Sequence, residues 1–103
     1  MRLALEHLRI SLTKGNLWLY ILSELQLSDA TPSELRFRVL DKRGFAPAAI
    51  TFYSVIYRLR REGLVKRSSD SFRSAYVITP KGKGELLRAM SYLGEVQKSL
   101  GQT

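Results

Sequence analysis

Two helix-start signals of the same kind, Thr31-Pro32 and Thr79-Pro80, bracket the middle of this chain and fix the order of what lies between them. A threonine hydroxyl caps a helix, and proline at the first helical position gives up an N–H that has no helical partner anyway. Thr31-Pro32-Ser33-Glu34 adds a glutamate at the third helical position, the second half of a capping box. The helix it opens carries Leu35, Phe37, Val39 and Leu40 and is predicted to stop near Gly44. The next amphipathic run begins at Pro47 and ends at Gly63, a residue suited to the left-handed position just past a helix. Two strand-like runs follow, Leu64-Val65-Lys66-Arg67 and Ser74-Ala75-Tyr76-Val77-Ile78. The polar cluster Ser68-Ser69-Asp70-Ser71 between them predicts a hairpin. Thr79-Pro80 then opens a last helix.

Upstream, Met1 to Leu12 has apolar residues at positions 1, 4, 5, 8 and 12, the spacing of a helix face. Leu17-Trp18-Leu19-Tyr20-Ile21-Leu22, running on to Leu25, is apolar nearly all round. Such a helix must be covered on more than one side. The second cover is expected from the N-terminal helix, a partner subunit, or both. Four helices, a two-stranded hairpin and a final helix make a mainly α fold with a small β-hairpin: a winged helix-turn-helix. With 103 residues, the expected organisation is a single winged-helix domain over 1–103. In the last helix, Leu86, Leu93 and Leu100 fall seven apart with Met90 between, a short heptad seam. Residues of about 80–100 therefore read as a dimerisation helix, since the stripe would otherwise stand exposed. Folding back on the subunit's own helices is the alternative.

The net charge is +8, and all of it lies between Lys42 and Lys83. That stretch holds Lys42, Arg43, Arg58, Arg60, Arg61, Lys66, Arg67, Arg73, Lys81 and Lys83 against Glu62 and Asp70; the flanks are each neutral. Cations so concentrated repel one another unless a polyanion relieves them, and duplex DNA has the matching charge density. On a helical wheel Phe52, Val55, Ile56 and Leu59 form one arc, the expected core face. Thr51, Ser54, Tyr57, Arg58 and Arg61 fall opposite, with Pro47 and Ile50. Hydroxyls and guanidinium forks on an outward face can bond base edges in the major groove. Thr51 and Ser54 are nearest the helix N-terminus and best placed for bases, while Arg61 suits a phosphate. A merely solvated basic face is the plainer alternative. Lys66, Arg67 and Arg73 flank the hairpin turn, where they can reach DNA or simply keep an edge hairpin soluble. Lys42 and Arg43 are expected in the turn before the recognition helix, on phosphate.

Other chemistries lack the residues they need. There is no cysteine, and His7 is the only histidine. No nucleophile triad, carboxylate pair, metal-ligand spacing or phosphate loop appears, so enzymatic function and a cofactor have nothing to rest on. No apolar run spans a bilayer and no secretory leader is evident, so a cytoplasmic protein without membrane contact is expected. Trp18 is expected in the core or at a subunit interface.

Three blocks resemble the PadR-like family of winged-helix transcriptional regulators: Gly15 to Leu25, Tyr53 to Val65, and Tyr76-Val77-Ile78-Thr79-Pro80-Lys81-Gly82. They correspond to that family's first helix, its recognition helix, and its second wing strand leading into the C-terminal helix. The resemblance implies a homodimer clasped through N- and C-terminal helices, binding a palindromic site and often repressing transcription. The dimer interface is then expected at Trp18, Leu86, Met90, Leu93 and Leu100, with room for a small-molecule effector only at that interface, near Trp18. A homodimeric, sequence-specific regulator of double-stranded DNA is the expected function, with half-sites about one helical turn apart. A winged-helix protein-interaction module and a non-specific architectural DNA protein are the alternatives.

Overall fold

A computed structural model describes residues 3–45, 47–69 and 72–102. Met1, and Asp70 and Ser71 of the hairpin turn, lie outside the described residues. In chain order the elements are α1 (Ala4–Leu12), a 3-10 turn (Lys14–Asn16), α2 (Leu17–Leu27), α3 (Pro32–Arg43), α4 (Ala49–Arg61), β1 (Val65–Arg67), β2 (Tyr76–Ile78) and α5 (Pro80–Gly101). This is the mainly α, winged-hairpin architecture that the start and stop signals imply.

Each predicted signal acts through a specific bond. The Thr31 hydroxyl accepts from the Glu34 N–H at 3.2 Å, and the Glu34 carboxylate accepts from the Thr31 N–H at 3.0 Å, closing the capping box. Thr79 does two jobs. Its hydroxyl accepts from the Gly82 N–H at 3.0 Å and donates to the Gly63 carbonyl at 2.7 Å, fastening the foot of α5 to the end of α4. Gly63 has φ +78°. Its N–H donates to the Arg60 carbonyl at 3.0 Å while the Leu64 N–H reaches the Leu59 carbonyl at 2.9 Å. This paired closure ends α4 and turns the chain into the wing. The helix begins two residues later than the proline suggests, because Ala48 is its N-cap and Pro47 is buried beneath the entry.

Leu17, Ile21, Leu22 and Leu25 of α2 form the centre of the core with Leu35 and Val39 of α3, Phe52, Ile56 and Leu59 of α4, Val65 of β1 and Leu86 of α5. α2 is thus covered by α3, α4, α5 and β2. This corrects the expected cover by the N-terminal helix. α1 buries none of its residues and leaves Leu5 and Leu8 exposed. Its end is held by the Tyr20 hydroxyl, which donates to the Leu12 carbonyl.

In the wing, Val65 pairs Ile78, Lys66 pairs Val77 and Arg67 pairs Tyr76, antiparallel. Ala30, between α2 and α3, adds a third edge by exchanging two backbone hydrogen bonds with Tyr76, at 3.2 and 2.8 Å. The second half of α5 stands clear of the body, with every residue from Ser91 to Leu100 exposed. The radius of gyration is accordingly 14.9 Å, against about 13 Å for a compact chain of this length.

Candidate nucleic-acid interface

The core-facing arc of α4 is as the wheel has it: Phe52, Ile56 and Leu59 are buried and Val55 is half-buried. Opposite that arc, Ile50, Ser54, Tyr57 and Arg61 follow one another at helical spacing and are all exposed. The Arg61 guanidinium lies over the Tyr57 ring, 5.8 Å from its centroid, which holds both side chains outward. Thr51 and Arg58 are exposed too but turned to one side. With Trp18 and Val55 they border a cleft of about 350 Å³ between α4, the start of α2 and the foot of α5. Pro47, expected on the reading face, is instead buried, with its carbonyl accepting from Arg36 Nε at 3.1 Å.

The ten cations of the basic stretch divide into those with partners in the fold and those without, the latter including the exposed Lys83 in the first turn of α5. Lys42 and Arg43 are the last two residues of α3, not part of a free turn. Lys42 Nζ lies 3.0 Å from Glu24 Oε1, and Arg43 lies 3.7 Å from Glu24 Oε2 and 5.3 Å over the Tyr20 ring. Glu24 is only 1% exposed and is the one charged residue of α2, and such a group must find countercharge. Arg73 ties the wing to the body: it is 3.5 Å from Asp29 and also pairs with Glu34. Lys81 donates to the Glu62 carbonyl at 2.8 Å, where α4 ends. These four have anionic or carbonyl partners already.

The side chains of Arg58, Arg60, Lys66 and Arg67 have no hydrogen-bond, ion-pair or ring partner among the described residues, and all four are exposed. They lie on the C-terminal half of α4 and on β1, which follows it through the buried Leu64. With Arg61 they place five cations in the last turn of α4 and on β1, Arg58 and Arg60 flanking Arg61 on either side of the helix. Sequence reasoning passed over Arg60, which falls off the chosen arc, and Glu24, whose isolation in an apolar run was the available signal.

Of the seam residues, Leu86 is buried in the subunit's own core, so it is not free to meet a partner. The heptad period marks a stripe but not where the body of the protein ends. Met90, Leu93 and Leu100 are exposed. Trp18 is half-buried, donates to Asn16 Oδ1 at 3.3 Å, and faces the subunit's own α4 across the cleft. Among the described residues no group of acidic, histidine or cysteine side chains could hold a metal ion, and no helix is long and apolar enough to cross a membrane.

Solved structures share this arrangement. A PadR-like transcriptional regulator from Bacillus cereus superposes with a TM-score of 0.70 at 22% identity, over 89% of this chain and 92% of that one. The chain has the PadR-like fold. A transcriptional regulator from Clostridium thermocellum superposes with a TM-score of 0.75 at 23% identity, over 87% of this chain and 91% of that one. A candidate transcriptional regulator from Thermoplasma acidophilum gives 0.62 at 24% identity, over 84% and 89%. No protein-family model and no curated protein matches the sequence. At these identities the likeness rests on the course of the backbone. Within the PadR-like fold, α4 is the second helix of the helix-turn-helix and β1 and β2 are the wing.

Proposed function

We propose that this chain is a PadR-like transcriptional regulator that binds specific double-stranded DNA as a homodimer and acts as a repressor. One observation carries the reading: the cations Arg58, Arg60, Lys66 and Arg67, in the last turn of α4 and on β1, have no partner among the described residues. At Lys42, Arg43 and Arg73 the fold supplies counterions, Glu24, Asp29 and Glu34. At Arg58, Arg60, Lys66 and Arg67 it supplies none among the described residues, and phosphate oxygens fill that place. The N-terminus of α4, where base edges are met, is free of acidic residues that would repel the backbone.

The dimer reading rests on apolar surface. α1 exposes Leu5 and Leu8, with Leu3 exposed at its N-cap, and the projecting half of α5 exposes Met90, Leu93 and Leu100. Both helices lack cover from their own subunit, and a second copy can provide it across a two-fold axis. No catalytic role, cofactor or metal is part of the proposal. A small-molecule effector has room in the cleft beside Trp18, which adjoins the recognition helix within one subunit.

The test is fluorescence anisotropy on duplexes from the gene's own upstream region and on scrambled duplexes, across a salt series. A preference of about a thousandfold or more near physiological salt is expected. Lys66→Ala is expected to weaken both classes alike and to lower the salt slope by about one unit. Absence of binding to either class at low salt refutes the reading.

A further inference from the structure

The charge on α4 is unevenly distributed along its length. Arg58, Arg60 and Arg61 all lie in its last turn. The entry and first two turns, from Ala48 to Val55, carry no charged side chain and no asparagine or glutamine. The side chains presented there are Ala48, Ala49, Ile50, Thr51, Tyr53 and Ser54, all exposed. Ile50 is 83% exposed, the highest value of any large apolar residue on this helix. It stands in line with Ser54, Tyr57 and Arg61, on the ridge opposite the core.

Base recognition in the major groove draws on a short set of pairings. Guanine is read by arginine or lysine, adenine by asparagine or glutamine, and the cytosine amine by a carboxylate. None of those groups is present on the part of α4 that meets base edges. What is present is the hydroxyls of Thr51, Tyr53 and Ser54, two alanines and one large aliphatic side chain, Ile50. The floor of the major groove offers a single apolar group, the C5-methyl of thymine. We infer that Ile50 reads a thymine methyl, so that each half-site places an A·T pair under the first turn of α4 with thymine on the contacted strand. Ser54, one turn further along the same ridge, donates or accepts at the adjacent pair. The arginines of the last turn then lie over the phosphates. This inference rests on the proposed DNA reading and names the chemistry of its partner.

The sequence bound by the intact protein can be selected from a pool of random duplexes. Each thymine of the selected half-site is then replaced in turn by deoxyuridine, which lacks only the methyl. Burying one methyl group corresponds to about a fourfold gain in affinity. One thymine is expected to show a loss of about fourfold on replacement with the parent protein. Ile50→Ala is expected to bind the thymine duplex correspondingly more weakly and to be indifferent to deoxyuridine at that position. Ile50→Val is expected to retain most of the discrimination. The side chain is exposed, so folding of these variants is secure, and a circular dichroism melt checks it. Indifference of the parent protein to deoxyuridine at every position overturns the inference. So does an Ile50→Ala variant that keeps the full discrimination, or one that binds every duplex as the parent does. A pool that yields no preferred sequence overturns the DNA reading itself, and the inference with it.

Discussion

Replacing Gly82 by alanine is the sharpest test of how the wing is joined to α5. A Cβ at position 82 would lie 2.1 Å from the Leu64 carbonyl oxygen and 2.8 Å from Ile78 Cγ1. Ordinary carbon-to-oxygen contacts are about 3.3–3.6 Å, so the helix foot and the strand must separate by about 1.2 Å. The obstacle is backbone and cannot rotate aside. Overpacking of this kind costs about 1–3 kcal/mol. The same carbonyl accepts from the Thr79 N–H at 3.1 Å, and losing that bond adds about 1 kcal/mol. Alanine in place of a helical glycine returns about 1 kcal/mol. The balance is a loss of about 2 kcal/mol, or about 8–16 °C in Tm for a domain of this size. Gly84 provides the internal control, because its Cβ would meet only the flexible Arg88 guanidinium, at 3.5 Å. Gly84→Ala is expected to gain about 1 kcal/mol and to raise Tm by about 4–8 °C. Both are read by circular dichroism melts at one protomer concentration, so that self-association does not enter the comparison. A Gly82→Ala protein melting at or above the parent would refute the close approach of α5 to Leu64.

Four further substitutions have definite expected results. Lys42→Met leaves the buried Glu24 with only Arg43 at 3.7 Å and is expected to destabilise by about 1–3 kcal/mol. Glu24→Met should cost less, because the two cations are partly exposed and can turn to water; chemical denaturation of both orders them. The Glu34 carboxyl titrates below the ordinary glutamate value because the Thr31 backbone and hydroxyl bond it, with the nearby Arg73 guanidinium adding to the effect. A depressed folded pKa gives stability that is present above the unfolded value and lost as pH falls through the folded one, so the contribution disappears only on the acid side of the ordinary range. Carboxyl NMR titration should show Thr31→Ala moving Glu34 back up. Leu93→Glu, on the exposed part of α5, is expected to give a folded monomer by light scattering at micromolar concentration; an unchanged assembly would place the interface elsewhere.

What could be read from the sequence is what acts within a few residues. The Thr31 box spans three positions, the Thr79 cap three, and the Gly63 closure five, so each leaves a local signature. The core arc of α4 is legible because the helical period alone selects it. The interface is less so, because a count of cations treats all of them as free. Whether Arg73 faces DNA or Glu34 depends on a pairing across 39 positions, and Lys42 reaches Glu24 across 18. No local pattern encodes either. The Ala30 edge of the wing is hidden for the same reason: one residue in a loop carries no strand signal, and only the fold brings it beside Tyr76.

α5 is a single uninterrupted helix of 22 residues, about 33 Å long. Its foot is locked at Thr79 and Gly82 onto the point where α4 gives way to the wing, and its far end is the part a second copy would grip in the proposed dimer. A rigid helix fixed in this way would act as a lever with its fulcrum at the foot. A tilt of about 6° at the foot carries the far end through about 3.4 Å, the rise of one base-pair step. In the proposed dimer the same relation runs in reverse. A small change in how two such helices cross would re-space the recognition helices by a whole base pair while leaving each subunit's core untouched.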